Sequence, residues 1–286
     1  MSRSNTTASP VCSCMGRTSR QGAPPPVDSR PDIVDARPAE PVAGYESFHL
    51  ELSGGAGTTM HVARFERGRV ALRVVALDPP AALAEWCSAH GHPDAMIGGF
   101  FLRPQGTPLG ELRIDDAPCG HVPFSPPWHR TRACLHVVDG RVALAPRDGL
   151  PNDPRGDLLQ AGPMLVRDGR SLVAPGSDPE GFSAGMEQFD SDITAGRYPR
   201  AALGLDDTHL IAAVCDGRAE LDRGLTLDEM AAAMSELGAV QAINLDGGGS
   251  ASLVLGSRLR NRPREDHGID LVGGRPISTA LVFTRS

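Results

Sequence analysis

Apolar residues along this chain gather in short runs, alternating or continuous, and rarely in long helical stripes. Phe48-His49-Leu50-Glu51-Leu52, Met60-His61-Val62-Ala63-Arg64-Phe65 and Val70 to Leu77 read as successive strands with glycines in the turns between them. Runs of that length bounded by turn residues suit a buried or half-buried sheet. Further along, Cys134 to Val138 and Arg141 to Leu144 flank Asp139-Gly140, a two-residue hairpin signature. The same device separates Met164-Leu165-Val166 from Ser171-Leu172-Val173 at Asp168-Gly169, and recurs at Asp216-Gly217 after Leu210 to Val214.

Two stretches carry helical spacing instead. Pro79-Pro80 is expected to open a helix through Leu83, Trp86 and Cys87 that closes at Gly91, since proline is tolerated in a first turn. Thr226 with Glu229 forms a capping box, and Leu227, Met230, Ala231, Met234 and Leu237 share one face. Gly238 is a natural stop. These patterns predict an α+β fold: a mixed, largely antiparallel sheet with packed helices, forming one domain over residues 43–286. Residues 1–42 are rich in Ser, Thr, Pro and Arg. Too little apolar surface is present there to offset the cost of ordering, so a disordered arm is expected. The polar stretches Gly176–Arg197 and Ser257–Gly274 read as insertions, the first as a loop near the site.

The second helix leads into the most informative stretch, Gln241-Ala242-Ile243-Asn244-Leu245-Asp246-Gly247-Gly248-Gly249-Ser250. An apolar strand ends in two polar side chains and then in backbone without side chains, before Leu253-Val254-Leu255 resumes. Such a loop costs conformational entropy and suits a place where main chain must approach something closely. A glycine-rich hairpin turn is the plainer alternative. The run does not match the G-x-G-x-x-G dinucleotide pattern, and a strand follows it, not a helix.

Charge and composition narrow the partners. A net charge of −7 leaves no basic surplus for nucleic acid. The 286 residues include no lysine, so a P-loop is excluded and every fixed cation is a planar guanidinium suited to bidentate phosphate contact. The six cysteines are scattered, with neither a C-x-x-C pair nor zinc-ligand spacing. The nine histidines read as solvated loop residues. No cofactor is predicted, although a divalent metal such as calcium is not excluded. No apolar run is long enough to span a bilayer, and the first 40 residues lack the pattern of a secretory signal, so a cytoplasmic protein is expected, with export by another route as the alternative.

The ordered motifs Ala161-Gly162-Pro163-Met164-Leu165-Val166, Tyr198-Pro199-Arg200-Ala201-Ala202-Leu203-Gly204, Val214-Cys215-Asp216-Gly217-Arg218 and Ala242 to Ser250 resemble the phosphodiester glycosidase family. Arg275 to Leu281 resembles its closing strand, and the likeness covers roughly residues 95 to 285. One position departs from the pattern. Ala95-Met96-Ile97-Gly98-Gly99-Phe100-Phe101 has Ile97 where the family commonly has asparagine, which bears on substrate choice. The resemblance implies a hydrolase that cleaves a sugar 1-phosphodiester or a related phosphate-containing glycan such as an exopolysaccharide.

That chemistry sets its own requirements. Ordinary glycosidases need one carboxyl to protonate a poor leaving group and another to assist attack. A phosphate leaves as a stable anion, so the site needs cationic or amide contacts to phosphate and a carboxylate to activate water or steady a cationic sugar. Asp246, at a strand end, is the first candidate for that carboxylate and Asp216 the second; for each the alternative is an Asp that caps its own turn. Arg200 and Arg218 are the arginines within the motifs. The amides of Gly247, Gly248, Gly249 and Ser250 could form an anion nest, and Asn244 shares the strand face of Asp246 by period-two alternation. Gly99 completes the substrate-contacting set. Ser250 reads as a loop hydrogen-bonder, not a nucleophile, because no G-x-S-x-G elbow is present. The competing expectation is a non-catalytic module of the same fold that binds a glycan or phosphopolymer.

Overall fold

The computed structural model describes residues 44–175, 177–178, 180–182 and 196–285. The arm expected over 1–42 and most of the loop expected over 176–197 lie outside them. Strands dominate: nineteen strands and three α-helices are described. Every pairing between named strands is antiparallel, including the edges Gly44–Glu51 with Gly57–Glu66 and Val70–Ala82 with Pro276–Arg285. One isolated bridge, Leu109 with Val122, is parallel. The expectation of packed helices therefore overstated them. Leu83–His90 spans eight residues, Trp128–Thr131 four and Leu227–Glu236 ten.

A seven-stranded sheet contains Gly57–Glu66, His209–Cys215, Ala201–Leu205, Gln241–Asn244 and Met164–Arg167 as successive neighbours. A five-stranded sheet runs Leu253–Leu255, Ala95–Ile97, Pro276–Arg285 and Val70–Ala82 in that order, with Arg258–Leu259 beyond the first. A second five-stranded sheet centres on Ala133–Val138 and Asp157–Gln160. Alternation decides which face each residue takes. Ala63, Phe65, Leu203, Val214 and Ile243 enter the main core, whereas Met60, Val62, Ala202, Ala213 and Ala242 turn to Met230, Ala231 and Met234 of the ten-residue helix. Phe65 stacks on Phe283 with centroids 3.9 Å apart, joining the seven-stranded sheet to the first five-stranded one. Burying each such ring contributes about 1.5–3 kcal/mol.

The capping box forms as expected. Thr226 Oγ1 accepts from the Glu229 N–H at 3.2 Å, and Glu229 Oε2 accepts from the Thr226 N–H at 2.9 Å. Gly238 takes φ +86° just past the helix, where the Ala239 N–H returns to Met234 O at 3.0 Å. Asp139-Gly140 and Asp168-Gly169 both have positive φ at their two central residues, as a twisted two-residue hairpin requires.

Three local expectations are corrected. Pro79 and Pro80 lie in the strand Val70–Ala82, and the helix begins at Leu83. That strand is the edge of its sheet, where a residue without an amide donor costs little, and its register against Pro276–Arg285 shifts across this stretch. Asp216-Gly217 is not a hairpin turn, because His209–Cys215 pairs with Ala201–Leu205 and Gly57–Glu66 instead. Gly217 is needed there for room, since a Cβ would lie 2.6 Å from the Pro199 ring nitrogen. Nor do the glycines join paired strands: Gln241–Asn244 and Leu253–Leu255 belong to different sheets.

Candidate active site at the glycine turn

The chain crosses between two sheets at Asp246. Leu245 still bonds as a sheet residue, its N–H donating to Ala201 O at 2.9 Å. The next amide, of Asp246, donates to Gly98 O at 3.1 Å, across to the end of the strand Ala95–Ile97. A short 3-10 turn over Gly248–Ser250 then delivers the chain into Leu253–Leu255. Gly248 has φ +58°, a conformation that side chains oppose, and its N–H donates to Pro199 O at 2.8 Å. Beneath the turn, the Gly98 N–H donates to Thr279 O at 3.0 Å and the Gly99 N–H to Thr279 Oγ1 at 2.9 Å. A Cβ on Gly98 would sit 2.5 Å from that hydroxyl. The glycines of the first motif are thus fixed by close packing on the closing strand.

Asp246 is buried, and its Oδ1 accepts from the Gly247 N–H at 2.8 Å. Burial pushes its carboxyl up to about 6, against the opposing influence of the Ser250 hydroxyl, the Gly247 amide and the positive charges of Arg275 and Arg103. The Ser250 hydroxyl is buried beside the carboxylate, and among the described residues it has no hydrogen-bond partner. Asn244 is buried as well. Its amide nitrogen donates to Leu245 O at 2.9 Å and Gly162 O at 3.2 Å, while among the described residues its Oδ1 has no donor. Ile97 is wholly buried in the main apolar core, so the position of the family asparagine presents no polar group.

Arginines missed as site candidates stand close to the carboxylate. Arg275 covers the turn: a Cβ on Gly249 would come 2.9 Å from its Nη2. Its Nε donates to Glu265 Oε1 at 2.9 Å. Burial raises Glu265, but the hydrogen bond from Arg275 and the charges of Arg275, Arg103 and Arg218 outweigh it and hold that carboxyl below its ordinary value. Arg218 closes the chain of charges, with Nη1 3.6 Å from Glu265 Oε2 and Nη2 2.7 Å from Asp266 Oδ1. It also lines a cavity of about 850 Å³ with Tyr198, Arg223 and His267. Arg103 follows the first motif by two residues and Arg275 immediately precedes the closing strand; their place beside those motifs was the signal available.

The other two candidates are placed differently. Asp216 Oδ1 accepts from the Arg262 N–H at 2.7 Å, and Oδ2 lies 3.3 Å from His61 Nε2. It fastens the 257–274 insertion to the seven-stranded sheet. Arg200 is 1% exposed, donating from Nε to Leu225 O at 2.6 Å and from Nη2 to Gly196 O at 3.2 Å, and burial lowers its guanidinium to about 10. Its strand is tied to the glycine turn through Pro199. Among the described residues, no group of three or more His, Cys, Asp or Glu is arranged to hold a metal ion, and no helix is long and apolar enough to cross a membrane.

This arrangement has relatives. The mouse N-acetylglucosamine-1-phosphodiester alpha-N-acetylglucosaminidase is 36% identical over 182 residues, covering 60% of this chain and 33% of that protein. The human protein of the same name is 35% identical over the same length and shares. This chain therefore matches about a third of the length of those relatives. In structure, the zebrafish catalytic domain of that enzyme, auto-inhibited by its pro-peptide, superposes with a TM-score of 0.63 at 20% identity, covering 85% of this chain and 84% of that one. A hypothetical protein from Synechocystis gives 0.57 at 18% identity, covering 85% and 62%. The sequence profile of the phosphodiester glycosidases matches residues 95–284, and the chain belongs to that family.

Proposed function

We propose that this protein hydrolyses a sugar 1-phosphodiester at the anomeric carbon, with Asp246 as the working carboxylate. The observation that carries this reading is the setting of Asp246: a buried carboxylate, raised to about 6, at the crossing of two sheets and against a side-chain-free turn. Water adds to the anomeric carbon, the bond from that carbon to the phosphate oxygen breaks, and a free sugar and a phosphomonoester leave. Above its pKa, Asp246 can take the proton of the attacking water or steady positive charge on the sugar. A low-dielectric pocket strengthens both effects. Because phosphate departs as an anion, the role of an acid falls to cations. Arg275 and Arg103 act on the Asp246 carboxylate electrostatically and supply positive charge where the leaving group forms. Asn244 Oδ1, buried and without a donor among the described residues, can accept a hydrogen bond from a sugar hydroxyl.

In this reading Asp216 holds the insertion in place and does no chemistry, since both its oxygens are engaged. Arg200 holds Leu225 and Gly196 and contributes charge from below. The binding-module alternative draws on one specific observation, the apolar Ile97 where a polar contact is expected. Incubation with UDP-N-acetylglucosamine and with a nitrophenyl-sugar phosphodiester separates the two. Release of free sugar by the wild type, and its loss in Asp246→Asn, support the hydrolase. Tight binding without release of sugar leaves the binding module.

A further inference from the structure

The most anomalous side chain lies outside the groups used so far. Arg132 follows the short helix Trp128–Thr131, is 0% exposed, and among the described residues none of Nε, Nη1 or Nη2 has a hydrogen-bond partner. Its guanidinium is enclosed by three rings, with Cζ 4.1 Å from the Phe124 centroid and 5.5 Å from those of Phe100 and Phe182. Glu180 and Asp178 attract the guanidinium electrostatically, but their hydrogen bonds go to backbone amides. Glu180 Oε1 accepts from the Met164 N–H and Oε2 from the Ala133 N–H, each at 2.8 Å, and Asp178 Oδ1 accepts from the Phe182 N–H. Cation–π attraction offsets part of the hydration that a buried guanidinium loses. It supplies no acceptor for five N–H donors, and native proteins seldom leave such groups unmade without a use.

We infer that Arg132 is an anion-binding residue, and that its ligand is a phosphate group. The guanidiniums of Arg132 and Arg200 lie against the one Phe182 ring, at 5.5 and 5.9 Å. The cage is linked to the glycine turn along the chain: Phe100 follows Gly99, and Gly98 O receives the Asp246 amide. Arg200 is engaged with Leu225 and Gly196, so the available planar fork, suited to phosphate oxygens, is that of Arg132. The identity of the anion rests on the hydrolase reading; the existence of an anion site does not. Arg132 is enclosed by all three rings, so an anion reaches it only when one of them turns aside.

Arg132→Met is expected to bind inorganic phosphate and methyl phosphate about 10- to 100-fold more weakly by calorimetry, the scale of a charged hydrogen bond. A stronger response to methyl phosphate than to inorganic phosphate marks the substrate's own group as the occupant; the reverse marks free phosphate. In the wild type, the Arg132 side-chain Nε–H resonance should shift on titration with either anion, a readout that needs no variant to fold. Unchanged phosphate affinity in Arg132→Met, or an Arg132 resonance that does not move at saturating phosphate, overturns the inference. Absence of turnover on any phosphodiester overturns the hydrolase reading alone and leaves these binding results to stand or fall by themselves.

Discussion

The backbone amide of Asp246 donates to the carbonyl of Gly98 at 3.1 Å, and this bond ties the end of one sheet to the end of another directly beneath the candidate carboxylate. Close packing fixes both residues: Gly98 has no space for a side chain against Thr279, and Asp246 is buried at the turn that follows it. The position of the carboxylate is therefore set by main chain on both sides.

Asp246→Asn keeps the shape and removes the charge. Turnover should fall by at least about 100-fold, the lower end of what a positioned acid–base group contributes. The fold should gain, since an ionised carboxylate buried at neutral pH opposes folding; a shift from 3.8 to about 6 corresponds to about 1–3 kcal/mol. Parallel assays of rate and chemical denaturation at pH 7 check both halves. A variant that is less stable and inactive would instead identify Asp246 as a turn cap.

The same shift sets a pH dependence. Asp246 is raised in the folded state, so its favourable contribution to stability is complete below about pH 4 and is lost as pH rises through about 6. Activity runs the opposite way, rising through about pH 6 as the carboxylate forms. Wild type and Asp246→Asn should thus differ in stability at pH 7 and converge at pH 4. A rate that falls as pH rises from 5 to 7 contradicts the assignment of a working carboxylate.

Arg275→Ala removes a charge that favours ionised Asp246 and the main hydrogen-bond partner of Glu265. The acid limb of the pH–rate profile should move to higher pH, with Asp246 harder to ionise. An unmoved limb together with a lowered plateau would assign Arg275 to substrate contact alone.

Gly98→Ala tests the packing under the site. The added Cβ would meet Thr279 Oγ1 at 2.5 Å and its carbonyl carbon at 2.9 Å, and backbone cannot give way as a flexible side chain can. A loss of about 1–3 kcal/mol is expected from denaturant midpoints, as for an overpacked core.

Much of this was legible in the sequence where local rules act. The Thr226–Glu229 box, the Gly238 stop and the Asp139-Gly140 and Asp168-Gly169 hairpins each depend on a few adjacent residues, and each appears in the structure. Asp216-Gly217 has the same dipeptide and a different fate, because Pro199 and Arg262, distant in sequence, decide it. Pro79-Pro80 reads as a helix start only until the strand Pro276–Arg285 is beside it to make an edge. The glycine run stood out as a candidate site, but its crossing between sheets did not, since sheet membership is settled by partners elsewhere in the chain. Arg275, Arg103 and Arg132 were hidden for the same reason: among 28 arginines, only packing shows which come to lie against Asp246 or within a cage of rings.

The most direct test of the central claim is which bond breaks. Hydrolysis of a sugar 1-phosphodiester in water enriched in oxygen-18 should place the heavy oxygen on the released sugar and leave the phosphomonoester unlabelled, as read by the isotope shift of its phosphorus resonance. Label on phosphorus would mean that water attacks the phosphate, and Asp246 would then not be serving an anomeric carbon.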